Sequence, residues 1–136
     1  MAEILVVDDD ENARTSTKVV LERAGFLVTV AENGHQAGQL LSQRSFDLVI
    51  TDLVMPGKAG IELITDLAKH FPNTAVIAMS GAGPRRESLD GGTFGQPMLL
   101  STAKMIGADA ILGKPFGPET LLLSVRKCLD VRSKTG

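Results

Sequence analysis

The stretch Ser45-Phe-Asp-Leu-Val-Ile-Thr-Asp-Leu-Val-Met-Pro-Gly-Lys-Ala-Gly60 places a single carboxylate, Asp52, where a buried strand runs out. Leu48, Val49 and Ile50 form an apolar, β-branched run of the kind found in a parallel strand covered on both faces. Met55-Pro56-Gly57 then turns the chain away. In an open α/β sheet, ligands and chemistry gather at the carboxyl ends of the strands. A solitary aspartate in that position reads better as a turn former or helix cap, so its meaning depends on what else reaches the same edge.

Outward from this stretch, strand and helix alternate. Ile4 to Val7 is a buried first strand ending in Asp8-Asp9-Asp10. Ala13, Thr17, Val20, Leu21 and Ala24 recur at helical spacing, with Asp10 or Asn12 able to cap the start and Gly25 suited to the stop. Phe26 to Ala31 is the second strand. A helix from Asn33 has its apolar side at Ala37, Leu40 and Leu41, with Gly34 and Gly38 lowering its propensity. After the strand at Asp52, Ile61, Ile64, Ala68 and Phe71 mark one face of a helix closed by Pro72-Asn73. Ala75 to Met79 is the fourth strand, ending at Ser80. An irregular segment, Gly81 to Gln96, carries five glycines and one proline. Leu99, Ala103 and Ile106 lie on one helical face that ends at Gly107, and Ala110 to Leu112 is a short fifth strand leading into Lys114-Pro115-Phe116. The last helix opens at Pro118, a favoured first-turn position, and Glu119 suits its dipole. Leu121, Leu122, Val125, Cys128 and Leu129 form its apolar stripe.

Five such alternations predict a doubly wound parallel sheet with helices on both faces and right-handed crossovers. The order 2-1-3-4-5 suits five strands and makes the first and third neighbours at the switch point. Asp8, Asp9 and Asp52 then share one crevice.

At 136 residues the chain is read as one domain over 1–130, followed by a tail at 131–136. Fourteen Lys and Arg against 16 Asp and Glu leave a net charge of -2, which argues against a dominant nucleic-acid surface. Cys128 is the only cysteine, so an internal disulfide is ruled out and a reduced, cytoplasmic compartment fits. No long apolar segment or signal peptide points to membrane insertion.

Three carboxylates at neighbouring strand ends repel one another, and a hard divalent cation relieves the repulsion. Magnesium suits such a set, since it accepts one or two carboxylates together with water and phosphate oxygens. His35 and His70 read as surface residues, so no softer metal competes. Ser80 and Lys114 add a hydroxyl and a positive charge, the groups that a carboxylate accepting a phosphoryl group needs around its equatorial oxygens.

Val6-Val7-Asp8-Asp9, Asp52 with Met55-Pro56 and Gly60, Ser80-Gly81, and Lys114-Pro115-Phe116 resemble the signature of CheY-like response-regulator receiver domains of the stand-alone type. The resemblance runs from about Glu3 to Leu129. It implies the flavodoxin-like strand order 2-1-3-4-5 and a magnesium-dependent switch of two-component signalling that is not an enzyme, beyond phosphorylation and dephosphorylation of its own side chain. It also implies Asp52 as phosphoacceptor, and Asp8, Asp9, Asp52 and the Val54 backbone carbonyl around the metal. Ser80 is then the switch hydroxyl, Lys114 the phosphoryl contact, and Lys114-Pro115 a cis peptide. The implied partners are a sensor histidine kinase or phosphotransfer protein and a downstream protein, without direct nucleic-acid binding. Two features depart from the family. Ile111 stands where an aromatic switch residue is frequent, and the segment after Ser80 is about a dozen residues longer than usual. That segment, with Gly81 and Gly83, is expected to become more ordered on phosphorylation. No DNA-binding domain is expected after the last helix, so output is expected through protein contacts. Two alternatives remain at this stage: a haloacid-dehalogenase-like phosphohydrolase with Asp8 as nucleophile and Asp10 as acid/base, and a pseudo-receiver that works without phosphorylation. The first expects an acidic pair after Lys114, where only Glu119 and Asp130 occur.

Overall fold

A computed structural model describes residues 2–53, 60–80, 107–114 and 116–135, with the backbone alone at 60, 61, 80 and 132–135. The elements run β1 (Glu3–Val7), α1 (Glu11–Arg23), β2 (Leu27–Ala31), α2 (Gly34–Gln43), β3 (Leu48–Asp52), α3 (Gly60–His70), β4 (Ala75–Ser80), β5 (Ala110–Gly113) and α4 (Pro118–Thr135). The five strands form one parallel sheet in the order β2-β1-β3-β4-β5, as expected. The helix expected around Leu99 to Ile106 lies outside the described residues.

The strands are apolar on both sides because both sides are covered. Leu5, Val7, Val49, Val76 and Ala78 pack with Ala37 and Leu41 of α2 and with Leu63, Ile64 and Leu67 of α3. Their sequence neighbours Ile4, Val6, Leu48, Ile50, Ile77 and Met79 pack on the other face with Leu21 of α1 and with Leu121, Val125 and Cys128 of α4. Successive side chains in a strand point to opposite faces, so a run such as Ile4-Leu5-Val6-Val7 fills two cores at once. Each side chain of this size contributes ~1.5–3 kcal/mol when fully buried, which makes the register costly to shift.

The turns at the carboxyl edge follow from local chemistry. Asp10, in extended conformation, caps α1 by accepting from the Asn12 amide, so of the two capping candidates Asp10 takes the role. At the far end of α1, Gly25 has φ 99, the Gly25 amide donates to the Glu22 carbonyl and the Phe26 amide to the Leu21 carbonyl. That pair of bonds is a Schellman stop, and it needs a residue tolerant of positive φ. Asn33 caps α2 in the same way as Asp10 caps α1, accepting from the Gln36 amide.

One expectation needs correction. The buried face of α3 consists of Leu63, Ile64 and Leu67, whereas Ala68 is exposed. An apolar stripe at i, i+3 and i+4 can be placed in two adjacent phases, and the bulkier leucines win the core. The last helix continues to Thr135. No glycine or proline lies between Pro118 and Gly136 to stop it.

Candidate functional site

The site is built at the carboxyl ends of β1, β3 and β5. Asp8 follows β1, and its amide still donates to the Ala31 carbonyl of β2 at 3.1 Å. Its side chain is buried, and both carboxylate oxygens are engaged: Oδ1 accepts from the Asp10 amide at 3.0 Å and Oδ2 from Lys114 Nζ at 2.7 Å. The Asp8 carbonyl accepts from Arg14 Nη1 at 2.9 Å. Asp9, the next residue, is exposed. Asp52 closes β3 opposite Met79 of β4 and is 5% exposed. Its Oδ2 accepts from Lys114 Nζ at 3.1 Å.

Lys114 is therefore shared by two carboxylates from different strands. It follows β5 at the edge of the sheet, two strands from β3 and three from β1 in the sheet order. Its side chain thus crosses the carboxyl end of the sheet. Burial alone would lower its pKa, but the hydrogen bond and charge of Asp8 together with those of Asp52 outweigh that and hold it above the ordinary lysine value. The ammonium is a fixed positive charge at physiological pH.

One carboxylate oxygen from each of Asp8, Asp9 and Asp52 lies within 4.8 Å of the others. Three hard oxygen donors against a single ammonium leave an excess of negative charge, which is the donor chemistry that suits magnesium. Lys114 offsets one of the two charges of the buried pair, and Asp9 is exposed. The backbone of Ser80 ends β4 and pairs with Gly113, immediately before Lys114. The structure therefore brings together Asp8, Asp9, Asp52 and Lys114, and sets the Ser80 backbone on the strand between Asp52 and Lys114. The Ser80 hydroxyl, Val54, Pro115 with its expected cis peptide, and the 81–96 segment lie outside the described residues. Asp10 is a cap that also donates its amide to Asp8, and Arg14 is a participant the sequence reading omits. Its only signal is its position four residues after the cap.

The chain matches the family model of the response regulator receiver domain over residues 4–126. It is 36% identical over 126 residues to Protein PetR of Rhodobacter capsulatus, covering 93% of this chain and 48% of that protein. The transcriptional regulatory protein SrrA of Staphylococcus aureus is 31% identical over 127 residues, with 93% and 47% covered. The chain thus spans about half the length of these relatives. Among solved structures, a CheY-like receiver domain protein from Methanospirillum hungatei superposes with a TM-score of 0.84 at 29% identity, with 100% of this chain and 99% of that one covered. NtrX from Brucella abortus gives a TM-score of 0.86 at 25% identity, with 98% and 28% covered.

Fold and acidic edge together are those of a regulatory receiver domain of two-component systems. The chain belongs to the response regulator receiver family of two-component systems. Its aspartate cluster is an acidic pocket of the kind in which receiver domains bind magnesium. Among the described residues no helix is long and apolar enough to cross a membrane.

Proposed function

We propose that this chain accepts a phosphoryl group on Asp52 from a sensor histidine kinase or a phosphotransfer protein and signals by phosphorylation-dependent protein contacts. The observation that carries the reading is the convergence of Lys114 Nζ on Asp52 Oδ2, at 3.1 Å, beside the Asp8-Asp9 pair. In the transfer, an Asp52 carboxylate oxygen attacks the phosphorus of a phosphohistidine. The new P–O bond forms as the P–N bond breaks, and the imidazole leaves with the bonding electron pair. The product is an acyl phosphate.

Charge in such a transfer spreads over three equatorial oxygens. Lys114 is already held beside Asp52 and meets one of them, and Ser80, at the end of β4, is assigned the hydroxyl that meets another. Asp8, Asp9, Asp52 and the Val54 carbonyl are the proposed magnesium ligands. Bound there, the ion supplies charge neutralisation and a fixed direction for the phosphoryl oxygens. The chemistry is proposed to stop at the chain's own aspartate, with no separate substrate turned over.

The hydrolase alternative, with Asp8 as nucleophile, expects an acidic pair after Lys114, and it is disfavoured because Glu119 and Asp130 both fall on α4. We place the protein in the cytoplasm, with output through a downstream protein and no direct nucleic-acid contact, in keeping with 14 basic against 16 acidic residues.

The test is incubation with magnesium and a small acyl phosphate donor, followed by mass-spectrometric mapping. A hydroxylamine-sensitive label on Asp52, absent from Asp52→Asn, is expected. A label mapped to Asp8 in the Asp52→Asn protein would overturn the assignment.

A further inference from the structure

We propose that Arg14 is a positioning residue for the acidic pocket, holding the turn from which Asp9 presents its carboxylate to a divalent cation. The proposal rests on the magnesium reading above. Its basis is the complete engagement of Asp8. The Asp8 amide belongs to the β1–β2 ladder, and its carboxylate bonds the Asp10 amide and Lys114 Nζ. The remaining polar atom, the carbonyl, lies past the end of β1 and is taken by Arg14 Nη1 at 2.9 Å. That carbonyl belongs to the peptide group leading into Asp9, so its direction sets how Asp9 leaves the strand.

Arg14 grips this turn twice. Its own amide donates to the Asp10 carbonyl at 2.9 Å as the first bond of α1, while its guanidinium reaches back to Asp8. Residues 8 to 10 are thereby clamped between the helix start and the side chain that rises from it. A cation so close to a helix N-terminus is opposed by the helix dipole, so helix formation alone does not favour arginine here. The bond to Asp8 supplies the compensating interaction.

Two effects of Arg14 on a bound cation have opposite signs. As a charge it repels the ion, and its removal would tighten binding. As a clamp it preorganises Asp9, and its removal would loosen binding. Arg14 is half-buried, so its charge is partly screened by solvent, whereas the hydrogen bond acts on a fully buried residue. The clamp therefore outweighs the charge. Loss of a partner that orients a metal ligand costs 10–100-fold in affinity.

Magnesium chloride titrations followed by the backbone amide shifts of residues 8–10 test this on wild type, R14A and R14K. R14A is expected to bind about tenfold more weakly, with R14K recovering most of the loss. R14A binding as tightly as wild type, or more tightly, overturns the proposal. A second readout needs no metal: in R14A the Asp10 amide, bonded to Asp8 Oδ1, should exchange about tenfold faster while the Leu21 amide is unchanged. Equal Asp10 exchange in both proteins also overturns it. A wild-type protein without magnesium-dependent shifts defeats the metal reading itself, and the exchange measurement then decides the clamp alone. If R14A loses protection at Leu21 too, the comparison passes to R14K and R14Q, where affinities falling from wild type through R14K to R14Q support the clamp and equal affinities refute it.

Discussion

Lys114 is paired more closely with Asp8, at 2.7 Å, than with Asp52, at 3.1 Å. The lysine assigned to a phosphoryl group on Asp52 is thus held, before any phosphoryl arrives, chiefly by the neighbouring strand. This arrangement gives a buried carboxylate pair its counter-charge and keeps the ammonium within reach of Asp52.

Replacement of Lys114 by methionine should destabilise the metal-free protein by about 2 kcal/mol, less than the ~3–5 kcal/mol for breaking a fully buried pair, because the lysine retains some solvent contact. The pH dependence has a definite sign. A lysine whose folded pKa is raised contributes stability that is fully present below its ordinary value of 10.5 and is lost as pH rises through the folded value. The wild-type advantage over Lys114→Met, measured by urea unfolding, should be constant from pH 7 to 10 and shrink above that. An advantage that grows above pH 10.5 would contradict the pairing.

Asp9 separates binding from folding. It is exposed, and removing one of three close carboxylates relieves repulsion, so Asp9→Ala should change metal-free stability by no more than about 0.5 kcal/mol. Magnesium affinity should nevertheless fall at least about tenfold. Calorimetry suits the measurement, since the chain has no Trp or Tyr. Wild-type affinity in the variant would remove Asp9 from the ligand set.

Gly25 and Gly107 make a graded pair. Both have positive φ, 99 and 132, a backbone strain of about 1–3 kcal/mol for other residues. A Cβ on Gly25 would have nothing within 4 Å, whereas one on Gly107 would lie 2.9 Å from the Ala68 Cβ. Gly25→Ala should fall near the lower limit and Gly107→Ala near the upper. Adding Ala68→Gly should recover part of the second loss. Equal losses, by thermal unfolding, would mean that the approach of residue 107 to α3 carries no cost.

What the sequence made legible follows from the same physics. Val6-Val7-Asp8-Asp9 and Leu48 to Asp52 show their strands by continuous apolar runs, and each run ends where the polarity changes, so the carboxylates are located without coordinates. Lys114 is legible as a strand-end lysine. Its preference for Asp8 is not, because that depends on side-chain direction across three inter-strand gaps. The contact of Arg14 is not legible for a related reason: its partner is a backbone carbonyl, which has no sequence signature. The phase of α3 differs from the expected one because Ile64 belongs to both candidate stripes, and burial of Leu63 and Leu67 is decided by the sheet it meets.

Asp10 tests the division of labour within Asp8-Asp9-Asp10. Its carboxylate accepts from the Asn12 amide at 3.1 Å, while its own amide donates to Asp8 Oδ1 at 3.0 Å. The first bond is a helix cap made by the side chain, and the second survives any substitution except proline. Asp10→Ala should therefore cost about 1 kcal/mol of stability through the lost cap, and Asp10→Asn, which still offers an oxygen, much less. Magnesium affinity and labelling of Asp52 should remain close to wild type in both, because the Asp8 contact is kept. In the phosphohydrolase alternative Asp10 is the general acid/base, and its loss would abolish turnover while leaving stability incidental. Unfolding curves and phosphoryl labelling of the two variants discriminate: a variant of normal stability that no longer supports phosphoryl chemistry would transfer the reacting role from Asp52 to the β1 edge.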